Sequence, residues 1–389
     1  MEQIRQLTEH EMPLSRELIH FAFKYEGDQP LVVCRAEDTW GFFIDGELAS
    51  NIVILPLETF IQGETHKVGV VAGVASWPEY RKSGTIRKLM IHGLGVMRDN
   101  GQTVSYLGPF SYPFYRRFGY EMMYAYKSYT VKAACVPDWR GNGKVRRVGP
   151  DIPLLNGIYE RYAVRYNGMM KRSEERWNTS IFRRRPGQIA VYFNGNDEPT
   201  GYMIYQYAGT TLKVHEMVFL DRDARCGLWE FIRKQDSMYE NVMFTAPADD
   251  PFTFLIDNPK GVETKLVTHL MARIVDVRGY LEKYRFEPAA AGERFVLHVS
   301  DEHAPWNEGS FELRIGENGI PEVRQLQAAE RDIAGELACD IKTLSTMMMG
   351  YQTPTFLYEL GRLAGAGEDA RRLEAAIPKR TPYYIDFAA

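Results

Sequence analysis

Residues Lys67 to Ser76 read KVGVVAGVAS, a run that is rich in β-branched residues and almost wholly apolar. Such a run lacks helical spacing and reads as a strand buried on both faces, which places it inside a sheet covered on two sides. The flanking segments supply the rest of such a unit. Trp40 to Ile44 and Leu48 to Leu57 are apolar runs on either side of Asp45-Gly46, a hairpin signal. Downstream, Ile86, Leu89, Met90, Leu94 and Met97 are spaced for one face of a helix over residues 84–100, and Gly101 stands where a C-terminal cap belongs. Gln102 to Leu107 reads as a further strand. The first 30 residues predict a helix with Leu14, Leu18, Phe21 and Phe23 on a loosely amphipathic face. The region is thus a mixed α/β unit.

The order recurs. Residues 137–150 (PDWRGNGKVRRVGP) are rich in Gly, Pro and Arg and read as a linker. After it come a basic helix-like segment at 155–185, strands at Ile189–Phe193, Gly201–Tyr207 and Leu212–Leu220, and a helix at Leu228–Gln235. Hairpin, strand and helix succeed one another as in the first unit, which suggests a degenerate structural repeat. From about Tyr284 the pattern changes. Arg294–Val299 and Ser310–Ile315 alternate as half-buried strands do, and three helical segments come after them at Ile341–Met349, Thr355–Leu363 and Ala370–Ala376.

Composition narrows the function. A chain of 389 residues has room for two to four domains at about 100–200 residues each. Its net charge of −4, from 47 basic and 51 acidic residues, and the lack of any polybasic arm give no reason to expect nucleic acid. Cys34, Cys135, Cys226 and Cys339 lie far apart, as free thiols in a reducing compartment do. No basic segment leading into an apolar one opens the chain, and no apolar stretch approaches the roughly 18 residues of a membrane span, so a cytoplasmic protein without a membrane partner is expected. The eight histidines are scattered and no metal site is expected. There is no G-x-S-x-G elbow and no Walker-type loop.

Chemistry concentrates after the buried strand, in Val74-Ala-Ser-Trp-Pro-Glu-Tyr-Arg81-Lys82-Ser83-Gly84-Thr85-Ile86-Arg87. An R-x-x-G loop here joins a strand directly to a helix. The first backbone N–H groups of a helix have no internal partner, and its dipole adds positive charge. Gly84 lets backbone approach an anion closely, and Arg81, Lys82 and Arg87 add positive charge. A pyrophosphate is the natural ligand. Alone, R-x-x-G is common and marks an ordinary helix start. Its context here includes Phe110-Ser-Tyr-Pro-Phe-Tyr115-Arg-Arg-Phe118-Gly119-Tyr120-Glu121 further along.

That combination resembles the GNAT N-acetyltransferase superfamily, in which R-x-x-G-x-G/A cradles the CoA pyrophosphate and F-Y-x-x-x-G-F/Y comes later in the chain. Ile86 stands where many members have Gly or Ala. A larger apolar residue there, with a segment like Tyr115 to Tyr120, resembles the Eis-type (enhanced intracellular survival) family. The likeness extends to Asp340-Ile-Lys-Thr-Leu-Ser, Gly350-Tyr-Gln-Thr-Pro354 and the closing Asp386-Phe387. The resemblance implies an α/β (α+β) protein: tandem GNAT mixed-sheet domains at 1–145 and 146–284, then a sterol-carrier-protein-like α+β domain at 285–389. The second GNAT-like domain lacks its own CoA loop, since Asp221-Arg-Asp-Ala-Arg-Cys-Gly227 stands in the matching place.

It also implies a reaction and its parts. Acetyl-CoA is the co-substrate, and the acceptor is an amine of a polycationic small molecule such as an aminoglycoside. Val74, Ala75 and Ser76 pair with the acetyl-pantetheine arm, Lys82, Ser83, Gly84, Thr85, Ile86 and Arg87 surround the pyrophosphate, and Phe110 and Ser111 line the arm. Tyr115 is the proton donor to the departing thiolate, because a phenol of ordinary pKa near ~10 is protonated at neutral pH. The base is the chain's own C-terminal carboxylate, here on Ala389, although Ala388 and Ala389 extend past the usual aromatic end and leave Asp386 as another candidate. Tyr25, Glu26, Asp28 and Trp40 belong to the segment that walls the acceptor site in such proteins. A hexamer built from trimers is implied as well. Two other readings fit the residues: an acetyltransferase acting on protein lysines or N-termini, and a non-catalytic acyl-CoA or lipid-binding protein.

Overall fold

The hairpin signals set the first sheet. In the computed structural model, Asp45 and Gly46 both take positive φ (50° and 90°), as do Gln62 and Gly63 (50° and 82°). These left-handed pairs match the twist of antiparallel strands. They join Thr39–Ile44 to Glu47–Ile61 and Glu47–Ile61 to Glu64–Ser76. The structure describes residues 1–24, 34–327 and 336–386. The sheet order is Glu2–Gln6, Thr39–Ile44, Glu47–Ile61, Glu64–Ser76, Val104–Leu107, Met271–Ile274, Glu121–Met122. On one face the Thr85–Asp99 helix buries Leu89, Met90, Leu94 and Met97 against Ile52, Ile54, Val71 and Leu107. Each such side chain removed from water contributes about 1.5–3 kcal/mol. Gly69 allows this packing, because a Cβ there would run into Met97.

The Met12–Phe23 helix packs with Leu7, Phe43, Leu48 and Ala75. Its buried residues are Met12, Ser15 and Leu18, while Leu14, Phe21 and Phe23 stay about half exposed at 48%, 50% and 46%. Of the expected face only Leu18 is buried: apolar residues occur on both sides of this helix, and packing decides between them.

The chain divides into two compact units: Met1–Met123 with Leu270–Lys379, and Tyr124–His269 with residues 380–386. The expected borders at 145 and 284 do not coincide with this division. Ala125–Lys132 pairs with Asn241–Pro247 and Val262–Thr268 in the second unit, whereas Met271–Ile274 returns to the first sheet beside Val104–Leu107. Alternation identifies a strand but not its sheet. Similarly, the expected linker at 137–150 contains a strand, Lys144–Val148, paired with Gln188–Phe193.

The first unit also carries a five-stranded sheet, ordered Pro321–Leu326, Gly309–Ile315, Arg294–Ser300, Glu336–Asp340, Ala364–Gly365, with helices Ile341–Met348, Pro354–Glu359 and Gly367–Ala376. The second unit is a seven-stranded sheet in the order Val262–Thr268, Ala125–Lys132, Asn241–Pro247, Thr211–Phe219, Pro199–Ala208, Gln188–Phe193, Lys144–Val148. No helix of the described residues is long and apolar enough to cross a membrane.

The segment at 155–185, read as a basic helix, is helical only in part and buries three of its arginines. Arg172 donates to Glu216 at 2.8 Å and to Asp386 at 2.5 Å, and Arg176 meets Asp386 at 2.9 Å. Arg185 bonds Glu216 and the Ile385 carbonyl. Burial opposes ionisation of Asp386, but the surrounding guanidinium groups prevail and hold its carboxyl down at about 2. A depressed carboxyl pKa stabilises the fold above the ordinary value near ~4, and that contribution is lost as pH falls toward the folded value. Asp386→Asn should therefore destabilise the protein by about 3 kcal/mol or more at neutral pH. The difference from the parent, read by urea unfolding, should narrow as pH falls below about 4.

Candidate active site

The Glu64–Ser76 strand runs parallel to Val104–Leu107 only through Val68–Val71. Its far end diverges because Gly73 takes a φ of 54° and the register against Glu47–Ile61 shifts between Asn51 and Val53. The Asn51 amide fixes this bulge by donating to the Gly73 carbonyl at 2.7 Å. Val74, Ala75 and Ser76 thus lie past the last parallel pair, and Ala75 and Ser76 remain paired on one side with Asn51 and Ser50. Bulges of this kind end pairing and re-aim backbone near sites. Ser76 turns its hydroxyl toward the Trp77 carbonyl at 3.3 Å.

The strand leads through Pro78–Tyr80 to the helix that starts at Thr85. Gly84 caps that helix at φ 86° with no side-chain capping bond, and a Cβ there would meet nothing within 4 Å. The helix N-terminus is therefore open. Arg81, Lys82, Ser83 and Arg87 are exposed around it. Thr85 is buried, its hydroxyl 2.8 Å from that of Ser50, and half-buried Ile86 packs on the core of this unit. An open N-terminus ringed by cations is suited to an anion.

Tyr115 lies on the short Tyr112–Arg116 helix and is 3% exposed. It shares an apolar cluster with Val71 and Leu107, the last paired residues of the diverging strands, with Val74 packed against the same cluster. Phe110, 71% exposed, meets the Tyr115 ring edge-on at 5.3 Å. Burial pushes the Tyr115 phenol above its ordinary pKa, with nearby Tyr120 adding to the effect. The other buried tyrosines of this unit have hydrogen-bond partners: Tyr106 with Thr59, Tyr120 with Ser105, Tyr280 with the Met348 carbonyl and Tyr284 with Gln62. The Tyr115 hydroxyl has none among the described residues.

Arg273, Asp301 and Glu121 hold this geometry, and none was legible as a site residue in the sequence. Arg273 is fully buried; it donates to the Phe118 carbonyl and to Asp301 at 2.5 Å. Glu121 takes Arg116 at 2.7 Å and Arg362 at 3.2 Å. The visible signal for Arg273 was a lone charge within Met-Ala-Arg-Ile-Val, since a charge inside an apolar strand needs a partner. Trp40 faces the core, its ring 4.6 Å from that of His92. Tyr25, Glu26, Asp28 and Ala389 lie outside the described residues.

Comparison with known proteins agrees with this construction. Residues 3–123 and residues 168–274 match two families described as Acetyltransferase (GNAT) domain, and residues 277–385 match a Sterol carrier protein domain. N-acetyltransferase Eis of Mycobacterium tuberculosis is 27% identical over 329 residues, 81% of this chain and 79% of that protein. A structure from Enterococcus faecalis V583, described as a probable N-acyltransferase, is 28% identical with a TM-score of 0.87 over 99% of each chain. Eis1 from Mycobacterium abscessus shares the fold at 20% identity, with a TM-score of 0.81 over 99% of each chain. The protein is a GNAT N-acetyltransferase that uses acetyl-CoA. Within that class, the chain belongs to the Eis-type family, two GNAT domains followed by a sterol-carrier-like domain.

Gly119 sits at φ 81°, and a Cβ there would run into the Arg273 guanidinium and the Ile341 side chain. Gly119→Ala should cost about 2 kcal/mol or more from the left-handed backbone and the crowding together. It should also lower turnover by moving the Tyr115 segment. Thermal unfolding and steady-state rates measured on the same preparation check both effects.

Proposed function

We propose that the enzyme acetylates amines of polycationic small molecules, aminoglycosides among them, with Tyr115 as acid and the C-terminal carboxylate of Ala389 as base. The observation that supports it best is the place of Tyr115, buried beside Val71 and Leu107, the last paired residues of the diverging strands, and making no hydrogen bond to a described group. Acetyl-CoA supplies an acetyl group activated as a thioester. Lys82 to Arg87 would hold its pyrophosphate at the open helix end, Val74 to Ser76 its acetyl-pantetheine arm at the diverging strand, and Phe110 and Ser111 flank the arm.

Tyr115 remains protonated at neutral pH because burial raises its pKa above ~10, so it can hand a proton to the departing thiolate. The terminal carboxylate takes the proton that the attacking amine loses. Its assignment and the choice of acceptor rest on the family resemblance. Asp386, the other candidate, is already engaged by Arg172 and Arg176, which leaves the chain terminus the better base.

Tyr115→Phe removes only the hydroxyl. Turnover on an aminoglycoside, followed by release of the CoA thiol, should fall by ~10²–10⁴-fold with little change in acetyl-CoA affinity. A short C-terminal tag should slow turnover similarly, and the two changes together should cost less than the product of the separate losses. A tagged enzyme as fast as the untagged one would remove the terminal carboxylate from the mechanism. Polyamines and peptides in the same assay discriminate between acceptor classes.

The phosphate turn has its own test. A Cβ at Gly84 would meet nothing within 4 Å, but φ 86° strains a branched side chain. Gly84→Val should therefore lower stability by about 1–3 kcal/mol without unfolding the protein, while the side chain and the shifted backbone obstruct the anion. Calorimetry should show acetyl-CoA binding weakened by about tenfold or more, against one acetyl-CoA per chain in the parent. Unchanged affinity would refute the assignment.

A further inference from the structure

Val74, Ala75 and Ser76 leave the parallel pairing because their strand kinks at Gly73, where φ is 54°. A Cβ at Gly73 would meet Ile19 of the Met12–Phe23 helix and Val53 of the neighbouring strand, so only glycine fits the kink. The ladder does not define it, since the register against the strand at 47–61 shifts there, between Asn51 and Val53. A side chain does. The Asn51 amide donates to the Gly73 carbonyl at 2.7 Å. Asn51 is fully buried, and its Oδ1 has no hydrogen-bond partner among the described residues. A buried amide bonded at one end costs stability that a leucine of similar size would not. Local costs of this kind concentrate where a site uses the geometry they maintain.

Ser50, one residue earlier, projects from the other face of the same strand. Its hydroxyl is 2.8 Å from that of Thr85, the first residue of the helix that Gly84 caps, and both groups are buried. Two consecutive residues therefore hold the two backbone segments that the co-substrate needs. Asn51 sets the direction in which Val74 to Ser76 leave the sheet, and Ser50 sets where the open helix end stands relative to them. Neither side chain has to touch the ligand. A displacement of about 1 Å in a positioning segment can cost on the order of 10²-fold in rate, so a bond that fixes the kink acts on the site through the backbone.

We infer that Asn51 is a positioning residue for the acetyl-pantetheine arm and Ser50 for the pyrophosphate, an assignment that rests on the reading of this cleft as the acetyl-CoA site. The test is calorimetry on the full-length protein with two probes: acetyl-CoA, and 3′-phospho-ADP, which is the nucleotide of CoA without its arm. Asn51→Leu keeps the volume and removes the donor, and Asn51→Ser leaves a hydroxyl too short to span the bond. Either should weaken acetyl-CoA by about tenfold and change 3′-phospho-ADP by less than about twofold. Ser50→Ala should weaken both probes alike, by about fivefold. A folded Asn51 variant that binds acetyl-CoA as the parent does, or that loses the two probes equally, overturns the assignment of Asn51. Undiminished 3′-phospho-ADP binding in Ser50→Ala overturns that of Ser50. A parent that binds acetyl-CoA no more tightly than 3′-phospho-ADP shows instead that the arm makes no contact at the kink, which refutes the reading of the site itself.

Discussion

The Arg273 guanidinium, shut away from solvent, is the constraint on which the first unit's site depends. It arrives on Met271–Ile274, a strand that enters the sheet from far along the chain, and donates to the Phe118 carbonyl and to Asp301. Asp301 is in turn held by Asn307 at 3.0 Å and by the backbone N–H groups of His303 and Ala304. A buried ion pair adds little net stability over an apolar replacement, but leaving one partner alone costs about 3–5 kcal/mol. Its value here is geometric. Holding the Phe118 carbonyl sets the left-handed turn at Gly119, and with it the backbone that returns to Tyr115 through the Phe118 and Tyr120 N–H groups at 2.9 and 3.3 Å. The sterol-carrier-like part of the chain therefore supports the GNAT site through Asp301, and again through Arg362 on Glu121 and Thr346 on the Met122 carbonyl.

The second unit uses the same device on the chain's own tail. Three guanidinium groups and two carboxylates join Arg172, Arg176 and Arg185 to Glu216 and Asp386, and Arg172 also lies over the Tyr159 ring at 3.7 Å. Arginine suits such a place because its planar fork serves several acceptors while its face stacks on an aromatic ring. The tail is fixed at further points as well: Tyr383 donates to the Asn167 carbonyl at 2.9 Å, and Arg380 reaches the Val164 carbonyl. In both units a buried charge cluster joins segments that are remote in sequence, which is where close packing alone specifies least.

The same distinction between local and remote partners decides what the sequence made legible. The strand at 67–76, the Asp45-Gly46 turn and the helix ending before Gly101 are local: periodicity and left-handed residues determine them, and the structure has them at Glu64–Ser76, Asp45–Gly46 and Thr85–Asp99. Gly84 and Tyr115 could be singled out because motif and spacing are local too. Partner choice is not. The exchange by which Ala125–Lys132 joins the second sheet and Met271–Ile274 the first leaves no mark on alternation. The buried arginines at 172, 176 and 185 read only as part of a basic helix-like segment because their acids lie at Glu216 and Asp386, far away in sequence. Phe21 and Phe23 share the loosely amphipathic face with Leu18, but only Leu18 is buried.

The two units also separate fold from chemistry. In each, a parallel strand pair is broken partway, at Val71 in one and Lys213 in the other, and a helix comes after the longer strand. The strands therefore part in both cases, and the residues just after them differ. In the first unit the helix begins at a bare glycine with φ 86° and exposed cations beside it, which leaves the N–H groups free to meet an anion. In the second, one carboxylate occupies the same kind of N-terminus and another stands in its first turn. Neither Gly84 nor Asp221 belongs to a strand, so the difference between the repeats rests on the helix caps and not on the strands.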